Sequence, residues 1–270
     1  MPFTLSHAAA ALPFRKFKPI WSALVIGTFA PDLQYFILLS DEDRSGHHFP
    51  EVVLFTLPLA LLLLWVFEGC VKVPVVELLP TSVQRRLQDK VDRLSFQGWQ
   101  RFASIVLWIA IGITTHLIWD SFTHRHDWMV EHWSLLRDTV PVPFLHPMPV
   151  DKILQYASTV LGLLALLVWF AYWFRETAPV PHTRLRKLSS FRKVTVIFIM
   201  VVIAVFAGYL LAMFRLADHE LPISRSFLVA TVCEAITLAF CMQVLVYGLA
   251  RTYARRPRTV PAVRVGEERG

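Results

Sequence analysis

Cysteines and charged residues are scarce in this chain. Only 3 of its 270 residues are cysteine, and 17% are Asp, Glu, Lys or Arg. Cys70, Cys233 and Cys241 all fall within apolar stretches, where a thiol acts as a small apolar side chain. The sequence therefore indicates neither a disulfide framework nor a zinc site built from cysteines. No basic region precedes the apolar N-terminal piece, so we expect no cleavable signal peptide.

Hydrophobic residues, by contrast, make up 55% of the chain, and the mean hydropathy is +0.51. A bilayer core about 30 Å thick is crossed by roughly 20 helical residues. The stretches that are long and apolar enough are 20–40, 51–71, 102–122, 153–174, 194–214 and 226–249. We therefore predict an all-α, multi-pass transmembrane bundle of about six spans, with a short N-terminal helix and an outer loop region.

The positive charges fall in alternate connections between these spans. Lys and Arg cluster at 15–18, 85–101, 184–193 and 251–258, whereas the connections 41–50, 123–152 and 215–225 are balanced or acidic. Because positive residues are retained on the cytoplasmic side, both termini are predicted to be cytoplasmic in a plasma (inner) membrane. The net charge of +7 then follows from topology, and the expected partners are membrane lipids rather than nucleic acid.

The residues capable of chemistry concentrate in the first half of the chain. Eight of the ten histidines precede residue 150. We therefore divide the chain into a membrane-embedded region with the candidate metal site (1–150), a conventional apolar helical region (151–250) and a basic cytoplasmic tail (251–270).

Two of the connections between spans have sequence patterns that indicate a structural or binding role. The inner one carries Val83, Leu87, Val91 and Leu94 at helical spacing, which predicts an amphipathic helix on the membrane surface. The outer one, 123–152, is long and rich in Pro and Trp. Such loops serve as lids or binding loops, and Trp also anchors proteins at the bilayer interface, so both interpretations stay open.

The third span ends in THLIWDSFTH, which places His116, Asp120 and His124 along one side of a helix. An imidazole nitrogen and a carboxylate oxygen on adjacent turns can bind one divalent ion, and this donor set favours zinc. In a soluble helix the same spacing usually marks a solvated or hydrogen-bonded pair. Ionisable groups within membrane spans are rare and usually functional, so here the pattern indicates a site.

Asp32 and a pair of loop histidines are the next candidates. Pro31 tends to break the first span, which leaves Asp32 either as a ligand facing a cavity or as the cap of a following helix. His47 and His48 precede the second span. A hairpin between the first two spans would bring them to the outer face that holds Asp32, and the alternative is two solvated loop residues.

His7 is harder to place. The basic residues 15–18 put it on the cytoplasmic side, away from the other candidates, unless residues 3–13 turn back into the membrane as a short helix. Irregular backbone at that depth is tolerated where protein covers it. Of the other acids in spans, Glu68 is expected to reach lipid headgroups, and Glu234 is a candidate supporting or proton-relay residue.

The opening PFTLSHAAA, the APD of the first span, the paired histidines and THLIWDSFTH together resemble a bacterial membrane family known as "domain of unknown function 4184". The order of elements is also similar to putative membrane-bound metal-dependent hydrolases and, more remotely, to zinc-dependent phospholipase C and P1-type nucleases. That resemblance implies metal ligation by the following residues: His7, Asp32, His47 or His48, His116 and Asp120, with His124 as an additional ligand.

The chain departs from the soluble phosphoesterases in one respect. No HxxxE helix follows the HxxxD helix, and although His132, His146 or Asp151 could substitute, their spacing does not indicate it. The expected centre therefore holds one or two metal ions rather than three.

These observations support two kinds of function. The first is a membrane-bound zinc-dependent hydrolase of phosphoester or lipid-linked substrates, with Asp32 and Asp120 as catalytic carboxylates. The alternative is a non-enzymatic membrane protein with an ion or proton pathway or a structural metal. His116, Asp120, Asp32 and His47 are expected at one outward level and only Glu234 lies elsewhere, which favours the first.

Overall fold

The computed structural model describes residues 4–33, 50–125, 127–143, 146–181, 185–217 and 225–254. The chain begins with a 3-10 helix, Thr4–Phe17. The α-helices that follow are α1 Trp21–Phe29, α2 Leu57–Val66, α3 Lys72–Leu78, α4 Thr81–Leu87, α5 Trp99–Thr123, α6 Trp128–His132, α7 Ser134–Arg137, α8 Val150–Glu176, α9 Ser190–Ala217 and α10 Arg225–Tyr253. The π-helical turns Val52–Thr56 and Phe67–Val71 flank α2, and Gln88–Lys90 adds a 3-10 turn after α4.

Strands are minimal within the described chain. β1 (Thr139–Val140) pairs antiparallel with β2 (Met148–Pro149) inside the predicted outer loop, with Thr139 opposite Pro149 and Val140 opposite Met148. The all-α prediction is therefore confirmed.

Five segments of the described chain are long and apolar enough to cross a membrane. They are Val52–Leu78, Trp99–His132, Val150–Glu176, Ser190–Phe214 and Thr231–Tyr253. These match the second to sixth predicted spans and support a multi-pass bundle. The first predicted span is described only in part: α1 gives way to a 3-10 turn, Ala30–Asp32, at Pro31, and residues 34–40 lie outside the described residues.

The first half of the bundle is organised around the packing of α1 against α5. An added Cβ at Gly112 would lie 2.3 Å from the Leu24 carbonyl oxygen, and one at Gly27 would lie 2.3 Å from that of Ile109. Only residues without a side chain allow such a close approach of two helix backbones. The buried side chain of Ile105 continues this interface. The contact fixes which residues of α1 face the C-terminal half of α5.

The N-terminal 3-10 helix folds back along α1. Lys18 adopts a left-handed conformation, φ 50°, in the turn that joins the two segments. The helix then lies beside α1, α5 and α8. Its fit against α8 depends on Gly162, where an added Cβ would come within 2.9 Å of the Ser6 carbonyl oxygen. Residues 4–17 therefore turn back along the bundle, which is what His7 needs in order to reach the other candidate ligands.

The basic connections meet at one end of the bundle. Glu77, almost fully buried, accepts a hydrogen bond from the Arg186 backbone N–H at 3.0 Å, and its Oε2 lies 3.4 Å from Arg251 Nη2. Lys193 Nζ donates to the Leu79 carbonyl at 2.7 Å. Positive residues from separate connections thus share one end of the molecule, as expected from their distribution in the sequence.

One prediction about this end is wrong, and another holds only for the first part of its segment. Glu68 does not reach outward: it is buried, pairs with Lys72 and accepts the Leu94 backbone N–H at 3.1 Å. The amphipathic helix also stops early, because helical structure ends at Lys90. Beyond Lys90, backbone groups hydrogen bond to side chains of the second span instead of forming further helical turns. Lys72 Nζ donates to the Asp92 carbonyl at 2.6 Å, and the Leu94 N–H donates to Glu68.

We predict that Gly112→Ala destabilises the protein by about 1–3 kcal/mol, because the new methyl group meets backbone atoms that cannot move aside. Thermal unfolding of purified protein in detergent measures the effect. Gly69→Ala is the matched control, since a Cβ there would have no neighbour within 4 Å. Equal melting temperatures for the two variants would contradict the close contact of α1 with α5.

Candidate metal centre

Four buried side chains from three segments meet near the C-terminal end of α5. His7 comes from the N-terminal helix, Asp32 from the turn after α1, and His116 and Asp120 from α5; their exposed fractions are 4%, 1%, 0% and 2%. His116 Nε2 lies 3.1 Å from Asp120 Oδ2 and 3.4 Å from Asp32 Oδ1. His7 Nε2 lies 3.5 Å from Asp120 Oδ1.

The α1–α5 contact fixes the His116 ring. One turn beyond Gly112, His116 Nδ1 hydrogen bonds the Thr28 carbonyl oxygen at 2.8 Å. A carbonyl only accepts hydrogen bonds, so the proton of this bond belongs to Nδ1. In the neutral ring, Nε2 then presents its lone pair towards the carboxylates, which is the arrangement that a metal-ligating histidine needs.

A hydrogen bond across the N-terminal hairpin holds Asp32. Thr4 Oγ1 donates to Asp32 Oδ2 at 2.8 Å, which leaves Oδ1 facing His116. Asp32 therefore points into the cluster, in line with its interpretation as a ligand. The residues after Leu33, which would test the alternative interpretation of Asp32 as a helix cap, lie outside the described residues.

His7 completes the cluster by stacking on His116. The two ring centroids are 4.1 Å apart with an interplanar angle of 27°. Their Nε2 atoms approach opposite oxygens of the Asp120 carboxylate. The returning N-terminal helix thus removes the difficulty that charge distribution raised for His7.

The donor atoms are spaced as in a metal coordination sphere. His7, His116 and Asp120 each offer one donor, all within 4.8 Å of one another. Zinc bonds of about 2.0–2.2 Å in a tetrahedron separate neighbouring ligand atoms by roughly 3.3–3.6 Å. The separations of His116 from Asp120 and Asp32, and of His7 from Asp120, are 3.1, 3.4 and 3.5 Å. A divalent cation would also balance the charges of two carboxylates held away from water. The residues present therefore fit a divalent metal ion.

Comparison with known families agrees with the motifs of the sequence. The family model described as "Domain of unknown function (DUF4184)" matches residues 1–249, a range that includes every residue of the cluster. The chain belongs to the DUF4184 family. No curated protein and no solved structure matches it significantly. Membership of DUF4184 implies no particular activity.

The predicted ligand His124 lies beside the metal centre. It is not part of the close group formed by His7, His116 and Asp120. Its Nδ1 is 3.6 Å from Asp120 Oδ2 and 3.8 Å from Asp127 Oδ2. Thr123 Oγ1 and the Asp120 carbonyl each lie 3.3 Å from the same nitrogen. This position suits a residue that orients Asp120. The other two predicted ligands, His47 and His48, lie outside the described residues.

The substitutes considered for a missing HxxxE motif do not join the described cluster. His132 and His146 are exposed, and His132 stacks on Trp128. Asp151 is buried, and neither of its carboxylate oxygens has a hydrogen-bond partner among the residues that the structure describes.

Sequence reasoning missed a polar stripe on α8. Asp151, Gln155 and Ser158 are all buried and follow one another at helical spacing in an otherwise apolar span. That i, i+4, i+7 spacing was the available signal. Gln155 and Ser158 carry no charge, however, and a search for ionisable residues passes over them.

We predict different effects on zinc affinity for the two α5 histidines. His116→Ala should abolish high-affinity binding, whereas His124→Ala should weaken it about 10–100-fold, because it loses only the support of Asp120. Competition with a chromophoric chelator on purified protein measures both. The exposed His132→Ala variant serves as control and should match the wild type. Wild-type affinity in His116→Ala would rule out this centre.

Proposed function

We propose that this DUF4184 protein is a membrane-bound, metal-dependent hydrolase. The observation that carries the proposal is the convergence of two imidazole nitrogens and a carboxylate within 4.8 Å, with a second carboxylate 3.4 Å from His116. The ligands would be His7, His116 and Asp120, and Asp32 would lie beside them as a catalytic carboxylate. Zinc suits this set better than magnesium or calcium, which prefer oxygen donors alone.

The proposed chemistry divides between the ion and the protein. A divalent ion would supply Lewis acidity and an activated water near neutral pH. The Thr28 carbonyl and the Thr4 hydroxyl orient His116 and Asp32 before substrate arrives. With Oδ2 engaged by Thr4, Asp32 keeps Oδ1 to accept a proton from attacking water, while Asp120 lies between the two imidazoles as the central ligand.

A phosphoester is the proposed substrate. The support is the similarity of the motif order to metal-dependent hydrolases and phospholipase C-type enzymes, together with a site made of His and Asp donors. The negative charge of a phosphoester also suits a cationic metal centre.

The distribution of ionisable residues favours a hydrolytic centre over an ion pathway. A pathway needs such groups at successive depths of the membrane. Residues 102–115 of α5 and 194–214 of α9 contain no acid, base or histidine. Glu68 and Glu77 belong to the basic end of the bundle, where they face Lys72 and Arg251.

The proposed location is the plasma (inner) membrane, with the centre at the outward end. The basic connections define the cytoplasmic side by the positive-inside rule, and the centre lies towards the other end of α5. The C-terminus is then cytoplasmic, whereas the N-terminal hairpin brings His7 and Thr4, which bonds Asp32, to the level of the centre, so the predicted cytoplasmic N-terminus does not agree with the described hairpin.

Hydrolysis of p-nitrophenyl phosphate and bis(p-nitrophenyl) phosphate by purified protein tests the proposal. We expect activity that is lost with chelator and restored by Zn²⁺. Asp32→Asn and Asp120→Asn should each lower it by at least about 100-fold, because an amide neither accepts the proton nor carries the charge. His132→Ala, outside the centre, should retain activity.

Two results would overturn the proposal. Stoichiometric metal without hydrolysis of any phosphoester would indicate a structural ion. A metal-independent ion flux in proteoliposomes that Asp120→Asn abolishes would indicate a pathway.

A further inference from the structure

A groove opens directly beside the metal centre. It has a volume of about 290 Å³ and runs between the N-terminal helix, α5 and α8. His7 belongs to both features: it lines the groove, and its Nε2 lies 3.5 Å from Asp120. A molecule in this groove would therefore lie next to the proposed reaction site.

The mouth of the groove lies on the apolar surface of two spans. Trp119 of α5 is 46% exposed and Leu161 of α8 is 63% exposed, and both line the groove. Their segments, Trp99–His132 and Val150–Glu176, are long and apolar enough to cross a membrane. In a bilayer such a mouth meets hydrocarbon chains rather than water.

The lining of the groove combines apolar and polar side chains. Trp119, Leu161 and Ala157 line its apolar part, whereas Ser6, His7 and Ser158 are buried polar side chains in its wall. The Ser158 hydroxyl donates to the Gln155 carbonyl at 2.9 Å, so its hydrogen is already engaged within α8. A mostly apolar lining that reaches the metal centre at His7 suits an amphiphile that has a hydrocarbon chain and a polar head.

The size of the groove limits the occupant. Pockets for small molecules measure about 300–1,000 Å³, so this groove is at the lower end of the range. It suits one aliphatic chain rather than a whole two-chain lipid.

We propose that the groove holds one aliphatic chain of an amphiphilic phosphoester, whose phosphate then lies at the metal centre. As a statement about substrate, this rests on the proposed hydrolase function. As a statement about chain binding, it rests on the groove alone, so the two can fail separately.

A matched pair of substrates tests the chain preference. p-Nitrophenyl methyl phosphate and p-nitrophenyl dodecyl phosphate release the same leaving group by cleavage of the same P–O bond with water. We expect kcat/KM to be at least about tenfold higher for the dodecyl ester. Ala157→Leu, which fills the groove, should bring the ratio of the two constants towards one.

Ala165→Leu is the matched control. It adds the same side chain to the same helix at an exposed position outside the groove lining, so it should keep the wild-type ratio. Any general effect of chain length, such as partition into detergent, is common to both variants.

A binding measurement on the wild-type protein needs neither turnover nor a variant that folds. A dodecylphosphonate with a photoreactive diazirine at the chain end should label peptides containing Trp119, Ala157 or Leu161. Unlabelled dodecylphosphonate should compete, and methylphosphonate should not.

The outcomes separate the two proposals. Hydrolysis of both esters with a ratio that Ala157→Leu leaves unchanged, and labels spread over the apolar surface, would overturn the groove assignment and leave the hydrolase standing. Competed labelling of the groove without any hydrolysis would support chain binding and overturn the hydrolase.

Discussion

The backbone contact between Gly27 and Gly112 is the constraint on which the centre depends. Helices in a membrane associate through close packing rather than through a hydrophobic driving force, so a pair of glycines at one crossing point has a large effect. Thr28 follows Gly27, and His116 lies one turn beyond Gly112, which brings the carbonyl and the ring within 2.8 Å. Separating α1 from α5 by the width of a methyl group would break that hydrogen bond and release the orientation of the ring.

The two ends of the bundle stabilise buried carboxylates in different ways. At the basic end, Glu68 and Glu77 face Lys72 and Arg251, so each negative charge has a permanent cation beside it. At the other end, Asp32 and Asp120 face imidazoles, which are weak and conditional cations. Burial there is costly without further positive charge, and a divalent ion is the species whose coordination distances the donor atoms match.

The sequence predicts most of this arrangement, and the exceptions have physical reasons. Long apolar stretches give five of the six spans, and ionisable residues within them identify His116, Asp120 and Asp32. The position of His7 depends on the N-terminal hairpin. The charge rule alone puts this residue on the cytoplasmic side of the membrane, away from the other ligands. The burial of Glu68 and the early end of the surface helix depend on bonds between segments distant in sequence, which local periodicity does not contain. His47 and His48 stay predictions.

Zinc K-edge X-ray absorption of the purified protein tests the central claim most directly. We predict a stoichiometric ion with nitrogen and oxygen neighbours at about 2.0–2.2 Å and the outer-shell scattering of imidazole rings. The signal should disappear in His116→Ala and persist in His132→Ala. A protein without bound metal after chelator-free purification, or an ion with sulfur neighbours at about 2.3 Å, would contradict the account.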